Sequence, residues 1–269
     1  MKNKFGLRKL SKDERDFKLG NVFDLPKLEE LPDEFILGEP IIHNQGDTDY
    51  CSAYATCGMS EFQEEVELYP PYSFALSKEI SGDADEWGQD LRTALKSHTN
   101  YGAIEKGLTD INGRKLSDYP DLLSEAQKHL KKSFFNVSGG YYDHFDIIRA
   151  SMWHFRAKKQ GVALGVLWSW DLSEKYLTGT VKAGFGHALY CIGWKGDYLI
   201  IVNSYGKEAG ENGRHYLHRD TVNHFVKQYG AFMMVDMPKE EAKELNTRGE
   251  WRNAGFFGKI LIFLKRLWK

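Results

Sequence analysis

A chain of 269 residues is long enough to bury one large core or two lobes meeting at a cleft. Its 42% hydrophobic and 14% aromatic content excludes global disorder, and a formal net charge of -2 gives no overall electrostatic case for nucleic acid. The three cysteines, Cys51, Cys57 and Cys191, are too few for a disulfide scaffold and suit a cytoplasmic or other reducing compartment.

The first residues are basic, but 9–18 is densely charged where a secretion signal needs an apolar core. No apolar run reaches the ~20 residues of a spanning helix. Residues 1–36 read as an irregular leader punctuated by Pro26 and Pro32, and 37–237 as the main domain. Within it, 51–69 reads as a helix with Ala53, Ala55, Cys57, Met59 and Phe62 supplying a buried side, stopped by Pro70-Pro71. Further helices are expected over 90–98, 116–132 and 143–160. The period then changes. Segments 162–168, 187–192, 198–203 and 232–236 read as strands separated by glycine-containing turns. Helices first and strands second make an α+β pattern, with a cleft expected where the halves meet.

Chemistry-bearing residues fall on both halves. Gln45 stands six positions before Cys51, which opens the first long helix. A cysteine at a helix start gains from the backbone N–H groups and the helix dipole, which favour the thiolate. Gly186-His187-Ala188 follows 136 positions after Cys51, and Asn203-Ser204-Tyr205-Gly206 comes later still. His187 would take the thiol proton, Asn203 would orient the imidazole, and the Gln45 amide with the Cys51 N–H would hold an oxyanion. Each residue alone has a plainer reading: a packed thiol, a structural histidine, a turn asparagine. Their types, order and spacing together fit one mechanism. Cys57 reads as a core thiol, and no CxxC or HExxH pattern points to a metal, so neither metal nor cofactor is expected.

The segments 45–55, 186–188 and 198–213 resemble the papain-like cysteine peptidase family. The resemblance spans about residues 30–237 and implies a two-lobed α+β fold, with a helical left lobe and a β-barrel-like right lobe. It implies Cys51 as nucleophile, His187 as base, Asn203 as orienter and Gln45 as oxyanion donor. It also implies substrate contacts from Trp87, Gly88 and Gln89 on one wall, and from Phe185, Gly186 and Tyr205 on the other. The pocket beside Phe185 and Gly186 is expected to take an apolar side chain. Tyr54 and Tyr205 stand where the family usually has tryptophan. The cysteine common before the family's nucleophile is absent around Thr48. The leader is far shorter than the inhibitory prodomain of secreted members and resembles that of bacterial or phage-type members. Control by a removable prodomain is not expected.

Residues 238–255 read as a linker. Residues 256–269 read as a basic amphipathic helix, with Lys259, Arg266 and Lys269 on one side and a broad apolar face opposite. Such a helix can lie on a membrane surface, enter a partner's groove or pack on its own domain. The expected activity is hydrolysis of peptide or protein substrates through a thioester acyl-enzyme. The alternatives are a non-catalytic binding or assembly protein and an acyl transferase using the same cysteine.

Overall fold

The structure, a computed structural model, describes residues 5–11, 13, 16–138, 142–180, 183–238 and 240–245. The basic helix expected over 256–269 lies outside the described residues. In chain order the elements are α1 (Leu19–Val22), β1 (Glu34–Ile36), α2 (Cys51–Glu64), α3 (Pro70–Ser81), α4 (Leu91–Asn100), α5 (Leu123–Ala126), β2 (Ser133–Asn136), α6 (His144–His154), β3 (Val162–Trp168), β4 (Tyr176–Leu177), β5 (Phe185–Lys195), β6 (Tyr198–Val202), β7 (Arg214–His218), α7 (Arg219–Tyr229) and β8 (Ala231–Val235), with short 3-10 turns between some of them.

The strands form one sheet in the order β2-β8-β3-β5-β6-β7-β4, antiparallel except where β4 runs parallel to β7. β5 is its spine. Residues 187–194 of this strand are all buried, because the sheet is covered on both faces there. Its first half pairs with β3, and its far end pairs with both β6 and β1. A register shift between Cys191 and Gly193 separates the two halves.

α2 lies against β5. Gly58 permits the approach, since a Cβ there would stand 2.4 Å from the Tyr190 ring. α2 ends earlier than its apolar pattern suggests, at Glu64, where Glu65 turns into the left-handed region at φ 56°. Pro70-Pro71 then begins α3 instead of terminating α2. Proline is well suited to the first helical position, where its missing N–H has no partner to lose. The expected helix over 116–132 is broken into a 3-10 turn, the single-turn α5 and another 3-10 turn. Pro120 and the positive φ of Asp121 account for the break. α4 starts on Asp90, whose side chain accepts from the Thr93 N–H. Among the described residues no helix is long and apolar enough to cross a membrane.

His98 on α4 is fully buried between the helices, 3.2 Å from Thr56 Oγ1 and 3.9 Å from Cys57 Sγ. Burial, with help from nearby Lys131, pushes its pKa down to about 3. The folded state therefore refuses a proton that the unfolded chain accepts below pH 6.5. The stability that neutral His98 contributes is complete above that pH and is lost as the pH falls toward 3. Between pH 7 and pH 5 the unaltered chain should lose about 2 kcal/mol more stability in urea titrations than His98→Gln, because His187 and the other lowered histidines contribute equally to both. Equal losses in the two chains would contradict this assignment.

Candidate active site

Cys51 is the first residue of α2 and is completely buried. Its N-cap, Tyr50, makes no side-chain capping bond, so the first-turn amides are not taken up by a cap. The backbone groups of Ala188, Gly6 and Ser52 favour the thiolate, but burial outweighs them. His187 and Ala188 lie on β5, so the packing of α2 on that strand brings the cysteine to the histidine. The His187 Nε2–H donates to Asn203 Oδ1 at 2.8 Å, and Asn203 sits just past the end of β6. His187 Nδ1 is buried with no hydrogen-bond partner, and is the ring nitrogen left for the thiol. Tyr205 stacks on the imidazole at 5.4 Å and 25°, while Trp168 meets it edge-on at 5.4 Å. The His187–Asn203 bond is thereby covered by aromatic surface.

Gln45 is buried beside the same loop. Its Nε2 donates to Thr48 O at 2.7 Å, and its Oε1 accepts from Ser204 Oγ. The Gln45 N–H donates to Ser204 O at 2.8 Å. These bonds fix the amide orientation, with Oε1 turned to the Ser204 hydroxyl and the –NH2 to the Thr48 carbonyl.

The wall residues are braced by groups that spacing alone did not reveal. Asp49, fully buried two positions before Cys51, accepts from the Gly88 N–H and from Arg114 Nη1. Lys78 has a fully buried side chain whose Nζ donates to Gly88 O at 2.6 Å and Glu86 O at 2.8 Å, and pairs with Asp83. A single buried ammonium thus holds the 83–88 turn closed. A buried lysine and a buried aspartate flanking the motif are the only sequence signal, and nothing in the sequence marks them as buried.

The leader fills the cleft. The Leu7 N–H donates to Gly186 O at 2.9 Å, the Gln89 N–H to Gly6 O at 2.8 Å, and the Arg8 N–H to Gln89 O at 3.2 Å. Leu7 therefore runs parallel to Gln89 as an added strand. Trp87 Nε1 donates to Phe5 O at 2.9 Å. The Phe5 ring stacks on Phe185 and meets His187 and Tyr205 edge-on at 5.0 and 5.6 Å. The Leu7 side chain is seated where a Cβ on Gly165 would stand 2.4 Å from it, beside Tyr229. Gly6 must be glycine: a Cβ there would stand 2.3 Å from Asp49 O, and one on Gly88 would strike Gly6 O at 1.9 Å. All six expected substrate-contact residues, Trp87, Gly88, Gln89, Phe185, Gly186 and Tyr205, touch this segment. Residues 5–7 alone make all of these contacts, and this the sequence did not anticipate.

Covering has an electrostatic consequence. Burial pushes the Cys51 thiol up to about 11, and burial pushes His187 down to about 4 despite its bond to Asn203. With the leader in place the pair is a neutral thiol and a neutral imidazole. The Gly6 carbonyl is turned to the Gln89 N–H, and the Phe5 carbonyl to Trp87 Nε1.

No family model and no characterised protein sequence matches the chain. Solved structures do. Xylellain, a cysteine protease from Xylella fastidiosa, is similar at 17% identity over 88% of this chain and 97% of that one, with a TM-score of 0.72. Procathepsin B S9 from Trypanosoma congolense matches at 13% identity over 88% of each chain, with a TM-score of 0.65. The bromelain protease from Ananas comosus, solved in complex with the inhibitor E64, matches at 16% identity over 76% of this chain and 98% of that one, with a TM-score of 0.55. The chain has the papain-like α+β fold.

Replacing Lys78 with methionine should lower stability by about 3 kcal/mol in urea titrations, because Asp83 and two carbonyls lose a charged donor. A cost below ~0.5 kcal/mol would mean that the 83–88 turn holds itself closed.

Proposed function

We propose that the protein is a cysteine peptidase whose cleft is closed by its own leader. The observation that carries this reading is the Nε2–H bond from His187 to Asn203 Oδ1, with Nδ1 left unpartnered beside a cysteine at a helix start. In the open cleft, water and the helix dipole lower the cost of the charged pair, and the Cys51 proton passes to His187. The thiolate attacks the peptide carbonyl carbon. The resulting oxyanion accepts from the Cys51 N–H and the Gln45 amide. His187 gives its proton to the leaving amine as the C–N bond breaks, leaving a thioester on Cys51. It then takes a proton from water, which attacks the thioester and releases the acid and the thiol.

The main-chain groups that hold Leu7, namely the Gln89 N–H and C=O and the Gly186 C=O, are the ones a peptide substrate would use. The pocket holding the Leu7 side chain favours an aliphatic residue in a substrate. Gly165 and Tyr229 lie against the Leu7 side chain there. A membrane or protein partner for 256–269 and a reducing location remain part of this proposal on the strength of sequence alone.

The test uses a fluorogenic peptide library with reductant, comparing the unaltered chain, Cys51→Ala and Leu7→Asp. A charged side chain in the Leu7 pocket should expel the leader and raise turnover by at least about tenfold. Cys51→Ala should abolish turnover in either background. If Leu7→Asp is folded and as silent as Cys51→Ala on every peptide, the cleft binds without cutting.

A further inference from the structure

The hydrogen-bond chain behind His187 does not stop at Asn203. Asn203 Nδ2 lies 3.0 Å from Nε2 of His215, and His215 Nδ1 lies 2.6 Å from the carbonyl oxygen of Glu174. His215 is fully buried on β7, at an inward-facing position of a strand whose burial alternates. Trp168 meets its ring edge-on at 5.1 Å and meets His187 in the same way, so one indole packs on both imidazoles.

We infer that His215 is a positioning residue of the catalytic site, holding the Asn203 amide in the one orientation that presents its oxygen to His187. This inference rests on the peptidase reading for its functional meaning, though not for its structural test. The carbonyl of Glu174 only accepts, so the ring must carry its proton on Nδ1. Nε2 of a neutral ring is then an acceptor, and only the –NH2 of Asn203 satisfies it. The same orientation turns Oδ1 toward His187 Nε2–H and the Ser204 N–H, which bonds it at 2.8 Å. A flipped amide would set –NH2 against two donors and oxygen against an acceptor, so every contact would be lost together. The chain from Glu174 O through His215 and Asn203 thus fixes the His187 proton on Nε2. That leaves Nδ1 as the atom able to take a proton from Cys51. Desolvation keeps His215 neutral, which its acceptor role requires.

Long-range 15N–1H correlation on the imidazoles of the full chain tests this without any substitution. The expected result is a neutral His215 with its proton on Nδ1 and an unprotonated Nε2; a proton on Nε2 would overturn the inference. His215→Leu, which removes the acceptor at similar volume, should give a His187 ring of mixed tautomer. Where turnover is measured, kcat should fall about tenfold with KM changed less than about twofold. His215→Gln keeps an acceptor for Asn203 and a donor for Glu174, and should stay within about threefold of the original kcat. A folded His215→Leu with an unchanged His187 tautomer and kcat would make His215 a packing residue only. If no variant cuts any peptide, the peptidase reading fails, while the tautomers of His215 and His187 still decide the positioning role.

Discussion

Everything at the site depends on how closely α2 can approach β5. The helix carries the Cys51 thiol at its first residue and the strand carries the His187 imidazole near its start, so the separation of the two backbones sets the distance between them. Gly58 removes the one side chain that would hold helix and strand apart, and Tyr190 fills the space it leaves. β5 is itself fixed by β3, β6 and β1, with buried residues along most of its length. The placement of Cys51 and His187 is thus inherited from core packing, which resists small displacements because it has little free volume.

The second constraint is polar. Desolvation that protects the His187–Asn203 bond also disfavours charge on the thiol and the imidazole. The leader exploits this. Its Phe5 ring packs on the buried His187, and its residues 6–8 take up the main-chain groups of Gln89 and Gly186. The braced wall at Asp49, Lys78 and Arg114 supplies a firm edge for either occupant.

Much of this was legible in the sequence, for identifiable reasons. The strands at 162–168 and 198–203 and the helix at 90–98 carry plain periodicity, and the structure returns them within a few residues. Cys51, His187, Asn203 and Gln45 stand out in the sequence because chemistry restricts which residue types can serve, and the structure bonds His187 to Asn203 and Gln45 to the neighbouring Ser204. Other parts were hidden. β7 reads Arg-His-Tyr-Leu-His, and a histidine in an inward position masks the alternation that would have exposed both the strand and His215. α7 has Val222, Phe225, Val226 and Tyr229 at helical spacing, yet it directly follows a charged segment that hides its start. Leader residues 5–7 have no period at all. Their position is set by a cleft that exists only once distant segments have folded together.

The claim that most needs testing is that Phe5-Gly6-Leu7 gates Cys51. The direct measurement is the rate at which a small neutral electrophile such as iodoacetamide alkylates Cys51 at pH 7, with the site identified by peptide mass. It would compare the unaltered chain with Gly6→Val, whose Cβ cannot fit against Asp49. Slow labelling of the original and labelling of Gly6→Val at least about tenfold faster, with both chains equally folded, is the predicted result. Equal rates would mean that the leader does not control access to the thiol, and the account of a self-closed cleft would have to be abandoned.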